Sequence, residues 1–313
     1  MKGTIKLLVL VLPLAGIFLA LSERSVKGSI AEEHQLAFVS KKTGNWEIWT
    51  SDLDGKNKVK KTDYKGPDYN PAWSPDGQRI AFTTYRWGGH RIGIMDRNGS
   101  NVERLLGASD AYNLAPCWSP DGQSIAYFTN YKGYWNIFTV DLKSRKKTRL
   151  TTLEKTSERS PSWSPDGTKI AFQSIRDGNW EIYVMDSDGR NQKRLTNNQF
   201  DDFMPSWSPD GRQIVFGSGL NHQMDIFIID KDGSNLKNLT NGKPRKIRPN
   251  GESHKDDLTP VFTPDGQQII WACGASGTAA DIYIMNKDGG NLRPLIATST
   301  DERFPAIRPN VKH

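Results

Sequence analysis

Pro161-Ser162-Trp163-Ser164-Pro165-Asp166-Gly167 decides the fold, because the chain says it again and again. The same Pro-x-Trp-Ser-Pro-Asp-Gly string begins at Pro71, Pro116 and Pro205. A fifth version, Pro260-Val261-Phe262-Thr263-Pro264-Asp265-Gly266, trades Trp for Phe, and a decayed sixth, Pro305-Ala306-Ile307-Arg308-Pro309-Asn310, closes the sequence. The aromatic positions 73, 118, 163, 207 and 262, then Ile307, recur with a period near 45 residues. That is the length of one four-stranded propeller blade.

Each repeat reads as four strands. Strand A carries the Pro-x-Trp-Ser segment, and Pro-Asp-Gly turns the chain: Pro presets the first turn angle, Asp bonds back to the backbone, and Gly takes the left-handed position. Strand B follows at Ile80, Ile125, Ile170, Ile214 and Ile269. Strand C is of the type Glu181-Ile182-Tyr183-Val184-Met185-Asp186, followed by an Asp-Gly hairpin such as Asp188-Gly189. Strand D is short, as in Arg194-Leu195-Thr196. The two ends of the chain complement one another. The first B-like strand, Leu36-Ala37-Phe38, has no strand A before it, and the strand A around Ile307 has no room for a strand B after it. The expectation is an all-β, six-bladed β-propeller of four-stranded antiparallel blades over residues 34–313. Its ring closes when the C-terminal strand A joins the N-terminal strands B, C and D from residues 35 to 62, which removes the exposed edges of an open array.

Residues 1–22 precede this domain, with 23–33 as a linker. Lys2 and Lys6 flank an apolar run from Leu7 to Leu21, and Ala20-Leu21-Ser22 offers small residues for cleavage. This predicts a secretory signal peptide, with an uncleaved N-terminal anchor as the alternative. Either puts the domain outside the cytoplasm, with the membrane touched only through this segment. The net charge of +7 over 313 residues is spread across the repeats and forms no nucleic-acid stripe.

The A–B and C–D hairpins are short and nearly uniform, and they share one rim. The B–C and D–A loops share the other rim, and they vary: Tyr85-Arg86-Trp87-Gly88-Gly89-His90, Asn130-Tyr131-Lys132-Gly133-Tyr134-Trp135 and Gly217-Ser218-Gly219-Leu220-Asn221-His222. Varied loops on a uniform scaffold mark a binding rim, unless they simply drift. Trp87, Tyr131 and Tyr134 are candidates for stacking on a ligand, whereas Trp46, Trp135 and Trp180 recur in phase and are expected to pack between blades. Three residues before each motif proline stand Asp68, Asn113, Glu158, Asp202, Asp257 and Glu302. A ring of carboxylates near the channel mouth would hold a cation or a basic peptide. Their repetition in nearly every blade equally fits acids that cap backbone N–H groups. The longest insertion carries Arg245, Lys246 and Arg248, cations for an acidic partner or simply a solvated loop.

No Gly-x-Ser-x-Gly, His-Glu-x-x-His or phosphate-binding glycine loop occurs. The Asp-x-Asp-Gly turns lack the spacing of a calcium loop. His90, His222 and His254 fall on the varied rim, and only the last two, from neighbouring blades, offer the start of a metal site. No cofactor or metal is therefore expected. Cys117 and Cys273 fall in opposite blades, beyond disulfide reach, so two unpaired, buried thiols are expected.

These repeats resemble the WD-like propeller repeats of the TolB family over residues 34–310. The resemblance implies a bacterial envelope protein, periplasmic or secreted, or else anchored to the inner membrane and facing the periplasm. The family carries an α/β domain ahead of its propeller, and only residues 22–35 separate the apolar run from the first strand here. Partner binding through that domain is therefore not implied. Similar propellers also serve peptidases and polysaccharide lyases, so fold leaves function open. The leading expectation is a monomeric, non-enzymatic scaffold holding an envelope protein or peptide on the varied rim. The alternatives are a carbohydrate-binding or polysaccharide-degrading propeller and a purely structural module.

Overall fold

The computed structural model describes residues 35–106, 111–131, 133–219, 224–241, 257–274 and 279–309. Within them, 24 strands form six four-stranded antiparallel sheets arranged as a ring. The first blade contains β1 (Gln35–Ser40), β2 (Glu47–Asp52) and β3 (Val59–Lys60). The second holds β4 (Asp68–Trp73), β5 (Arg79–Thr84), β6 (Arg91–Asp96) and β7 (Glu103–Arg104), and the third β8 (Asn113–Trp118), β9 (Ser124–Thr129), β10 (Asn136–Asp141) and β11 (Lys147–Arg149). The fourth is β12 (Glu158–Trp163), β13 (Lys169–Ser174), β14 (Glu181–Asp186) and β15 (Lys193–Arg194), the fifth β16 (Asp202–Trp207), β17 (Gln213–Ser218), β18 (Asp225–Asp230) and β19 (Lys237–Asn238). The sixth is β20 (Asp257–Phe262), β21 (Gln268–Cys273), β22 (Asp281–Asn286) and β23 (Arg293–Ile296). The last strand, β24 (Glu302–Ile307), is the inner strand of the first blade: it pairs Leu36 with Ile307 and Ser40 with Glu302. The six-bladed count and the closure are thus both present. Residues 1–34, with the signal or anchor and the linker, lie outside the described residues.

The middle strands are buried along nearly their whole length because each blade is covered on both faces by its neighbours. Ala81, Ile92 and Ile94 of the second blade pack on Trp118, Ile125 and Tyr127 of the third, and this layering repeats around the ring. The Ser-Pro-Asp-Gly turn is tied three ways. Gly77 donates to the Ser74 carbonyl at 2.8 Å, the Ser74 hydroxyl donates to Asp76 at 2.5 Å, and the Arg79 amide donates back to Ser74 Oγ at 2.9 Å. Gly77 sits at φ 63°, where a side chain is disfavoured.

One feature of the inner strands is not written in the motif. The third residue of every strand A lies at positive φ: Asn70, Ala115, Ser160, Met204, Thr259 and Phe304, all between 47° and 55°. None is glycine. Each marks a β-bulge where the A–B register slips, as between Tyr69 and Ala72. A bulge frees backbone groups from the ladder, and the neighbouring blade takes them up. The Ala115 amide donates to Thr83 Oγ1 at 3.1 Å, and the Met204 amide to Gln173 Oε1 at 2.9 Å.

Candidate functional site

Six strands A surround an axial channel with a cavity of about 350 Å³. The bulge residues form one ring of its wall, the motif prolines the next, and small residues such as Ala72, Ser162 and Ser206 a third. On the A–B side the channel widens into a funnel of about 810 Å³, walled by Trp73, Trp118, Trp163 and the turn prolines Pro75, Pro120 and Pro165. Trp118 Nε1 donates to the Ala72 carbonyl of the preceding blade at 3.1 Å, whereas the Nε1 groups of Trp73, Trp163 and Trp207 have no hydrogen-bond partner, so the motif tryptophan serves chiefly by filling space. Cys117 is half-buried in the channel wall, not buried as expected, because a side chain on the inner strand faces the axis. Burial holds its pKa up at about 11, so it is a thiol and not a thiolate near neutral pH. Cys273 is buried at the end of β21, and neither cysteine is in a disulfide.

The four described carboxylates three before the prolines are not in the channel wall. Asp68, Glu158, Asp202 and Glu302 are at most 1% exposed, each opening its strand A within the blade. Both oxygens of Asp68 accept from Arg86 Nη1 at 2.6 Å. Glu158 accepts from Ser174 at 3.2 Å and Arg176 at 3.4 Å. Glu302 accepts from Ser40, Thr298 and Thr300. The acid thus locks the B–C loop and the D–A loop to the inner strand. The first position of a strand that is covered on both faces has no outlet to the axis, so the four described acids do not form a ring at the mouth. Asp257 begins β20, and its side chain lies outside the described residues, as do Arg245, Lys246, Arg248, His222 and His254.

Asp202, like Glu158, keeps one carboxylate oxygen without a hydrogen-bond partner. Asn198 donates to its Oδ2 at 2.8 Å, but its Oδ1 has no hydrogen-bond partner. Burial raises its pKa to about 6, against the pull of the Ser218, Thr196 and Asn198 side chains, and the nearby Glu181 adds to the rise. The native state therefore holds a proton that the unfolded chain releases from about pH 3.8 upward. Its contribution is fully present below that pH and is lost as pH rises to about 6. The third blade places Asn113 at the same position, where its amide donates to the Ala111 carbonyl at 3.2 Å. Asp202→Asn should accordingly raise stability at pH 7.5 by about 2 kcal/mol and leave it nearly unchanged at pH 3.5. Urea titrations at the two pH values check this; equal effects at both would show that ionisation of Asp202 costs the fold nothing.

The varied rim gathers aromatic groups. Tyr131 and Tyr134 are exposed, Trp87 is half-buried, and Tyr112 joins them at 41% exposure. The Tyr112 amide donates to Asn130 Oδ1 at 2.7 Å, which ties the D–A loop of the third blade to its B–C loop. His90 is enclosed by three tyrosines. Its Nδ1 bonds Tyr69, its Nε2 lies 2.7 Å from the Tyr85 hydroxyl, and its ring centre is 5.0 Å from that of Tyr112. Burial and the neighbouring Arg91 charge lower its pKa. A neutral imidazole has one N–H and one lone pair, so one tyrosine accepts and the other donates. Among the described residues no three His, Cys, Asp or Glu side chains gather as a metal set. Trp135 and Trp180 do reach the next blade, but through Arg159 and Phe203, while Trp46 stacks under Arg303 of its own blade. Arg159 and Arg303 share one repeat phase, a signal in the sequence that the aromatic pattern masks.

A family model described as the TolB beta propeller domain matches residues 31–152 and 90–310. Among curated proteins, the Tol-Pal system protein TolB of Desulfosudis oleivorans is 42% identical over 57 residues, 18% of this chain and 13% of that protein. The TolB homolog of Chlorobaculum tepidum is 42% identical over 66 residues, 21% of this chain and 14% of that protein. The matched stretches are therefore a small part of either relative. Among solved structures, TolB from Acinetobacter baumannii aligns with a TM-score of 0.75 at 24% identity, over 96% of this chain and 74% of that one. An oligogalacturonate lyase in complex with manganese aligns with a TM-score of 0.57 at 15% identity, over 83% of this chain and 73% of that one. At these identities the structural likeness is one of fold. The repeat motif, the six-bladed closure and the matched family model together lead to one conclusion: the chain belongs to the TolB β-propeller domain family.

Proposed function

We propose that this chain is a non-enzymatic binding module of the bacterial envelope, exposed to the periplasm and related in role to the Tol-Pal proteins it resembles. It holds a protein or peptide on the rim formed by the B–C and D–A loops. The observation that carries this reading is where the exposed apolar surface lies. Of six exposed large apolar side chains among the described residues, Tyr112, Tyr131, Tyr134 and Leu153 cluster in or beside the loops of the third blade. The uniform rim has no such cluster among those residues. Tyrosines present broad, fairly rigid area with a polar tip, the composition of interface cores. Among the described residues the one histidine, His90, has both ring nitrogens committed to phenols, which supports binding over turnover. Arg245, Lys246 and Arg248, which lie in the sequence between β19 and β20, would add positive charge. Asp68, Glu158, Asp202, Asp257 and Glu302 would serve by holding the loops in place and not by touching the partner.

A photo-crosslinking amino acid placed at Trp87, Tyr131 or Tyr134 should capture the same envelope protein from intact cells. The same group at Ser234, on the C–D hairpin, should capture none. Equal capture from both rims, or none from either, would overturn the reading. The exposed tyrosines also favour a second reading, a glycan-binding rim, in which a glycan array would give hits that Tyr131→Ala and Tyr134→Ala abolish.

A further inference from the structure

Arg159 is second in β12, one residue above Ser160 of the channel wall. Its guanidinium carbon lies 5.1 Å from the ring centre of Trp135 and 5.1 Å from that of Trp180. It is half-buried, its Nε has no hydrogen-bond partner, and it belongs to none of the ion pairs among the described residues. Burial lowers its proton affinity, though a guanidinium keeps its charge at any physiological pH.

The opposite blade contains the matching case. Arg303 holds the same place in β24 and lies 5.7 Å from the ring centre of Trp46. Its Nε donates to Asp301 Oδ1 at 2.9 Å and its Nη2 to Oδ2 at 3.2 Å. Asp301 comes two residues earlier; the residue two before Arg159 is Ser157. The two stand alike in the backbone, for the Asp301 carbonyl accepts from Lys41 N at 3.1 Å and the Ser157 carbonyl from Ile175 N at 3.2 Å. Arg159 is therefore Arg303 without its anion. Indole faces offset part of the cost of withdrawing a cation from water. They cannot take the in-plane hydrogen bonds of the guanidinium fork, and a carboxylate can.

We infer that Arg159 anchors a carboxylate from an acidic peptide segment, docked at the channel mouth between the third and fourth blades. This rests on the reading of that rim as a protein-binding surface and adds the chemistry of the partner. A lone planar fork suits a carboxylate, whereas phosphate sites gather several cations. Stacking on a sugar is disfavoured, because both indoles are already flanked: Trp135 by Phe128 at 5.3 Å and Trp180 by Phe203 at 6.2 Å. Phe203 and Met204 offer apolar contact to residues beside the acid.

The test uses the full chain with 15N-labelled arginine and follows the Arg159 Nε–H resonance. The probes are acetyl-Ala-Leu-Glu-Leu-Ala-amide, its Gln twin, glucuronate and inorganic phosphate, all at equal ionic strength. The Glu peptide should move the resonance saturably and bind about 10-fold tighter than the Gln peptide, the worth of one charge-assisted hydrogen bond. Arg159→Leu, which copies Leu114 at the same position of the third blade, should erase the preference. Ser157→Asp should erase it too while raising thermal stability, because it restores the internal anion. Equal binding of the two peptides, a preference that survives Ser157→Asp, or saturation by glucuronate or phosphate alone would overturn the inference. Crosslinking at Tyr131 that persists beside any of these results would leave the rim reading standing and remove only the acidic anchor.

Discussion

A chain ending at residue 300 should fail to fold as a stable monomer. The truncation removes β24, whose partner β1 would then expose an inner edge running through Leu36, Ala37, Phe38 and Val39, all at most 1% exposed in the ring. The Trp73 neighbourhood opens as well, since Ala306 packs in the cluster with Trp73, Ile80 and Phe82. Arg308, stacked 6.0 Å from the Trp73 ring, is lost with it. Propeller blades have no independent core, because each face is covered by the next blade, so the loss reaches both sides of the seam. A domain of ordinary stability has about 5–15 kcal/mol in total, and losing one inner strand with its ladder should consume at least about 5 kcal/mol. The freed edge is also a template for pairing with another chain. Size-exclusion chromatography and a thermal melt should show aggregate and no cooperative transition. Adding a peptide of residues 301–309 should restore a monomeric peak, as a strand supplied in trans completes a sheet. A truncated chain that melts within a few degrees of the parent would show that the seam does not hold the ring.

The strand count, the turns and this closure are legible in the sequence because they depend on local chemistry repeated six times. A Pro-Asp-Gly turn has one good backbone solution, and the missing strand at one end matches the spare strand at the other. The positions of the polar groups are not legible. Asp68, Glu158, Asp202 and Glu302 recur in phase, and recurrence alone does not say whether a side chain faces the axis or the body of its blade. The bulge decides that. It lies at Asn70 and its equivalents, residues as unlike as Ala115, Met204 and Phe304, with no shared side chain to announce a positive φ. Arg159 shows in the sequence only as a residue in phase with Arg303, for a related reason. Its meaning comes from what stands two residues earlier, Ser157 in place of an acid, and that contrast has force only once Arg303 and Asp301 are seen in contact. Loop variation points to the rim, yet Tyr112 stands in a D–A loop, apart from the B–C aromatics that carry the signal.

The second large effect is expected at Arg86, and the neighbouring blade tells how to reverse it. Arg86 reaches inward from the B–C loop of the second blade, stacked 4.9 Å from the Tyr64 ring centre and 5.5 Å from that of Phe82. Its Nη1 donates to both oxygens of Asp68 and to Thr84 Oγ1 at 2.9 Å. The Asp68 side chain is 0% exposed and that of Arg86 14%. Arg86→Met should therefore cost about 3–5 kcal/mol, the range for stranding one member of a buried ion pair, and lower the melting temperature by about 10 °C. Asp68→Asn should cost less, about 1–2 kcal/mol, because the longer Arg86 side chain has a path to water. In the third blade the corresponding positions hold Asn113 and Tyr131, both neutral, so Asp68→Asn with Arg86→Tyr imports residues the ring already accommodates there. The double variant should come within about 1–2 kcal/mol of the parent, a coupling of several kcal/mol between the two sites. Chemical denaturation of the parent, the two single variants and the double variant measures it. If the two single effects simply add, the ion pair contributes nothing beyond packing. The loop–strand lock would then have to be credited to the hydroxyl bonds, as it is around Glu302, where Thr298 and Thr300 each donate at 2.8 Å.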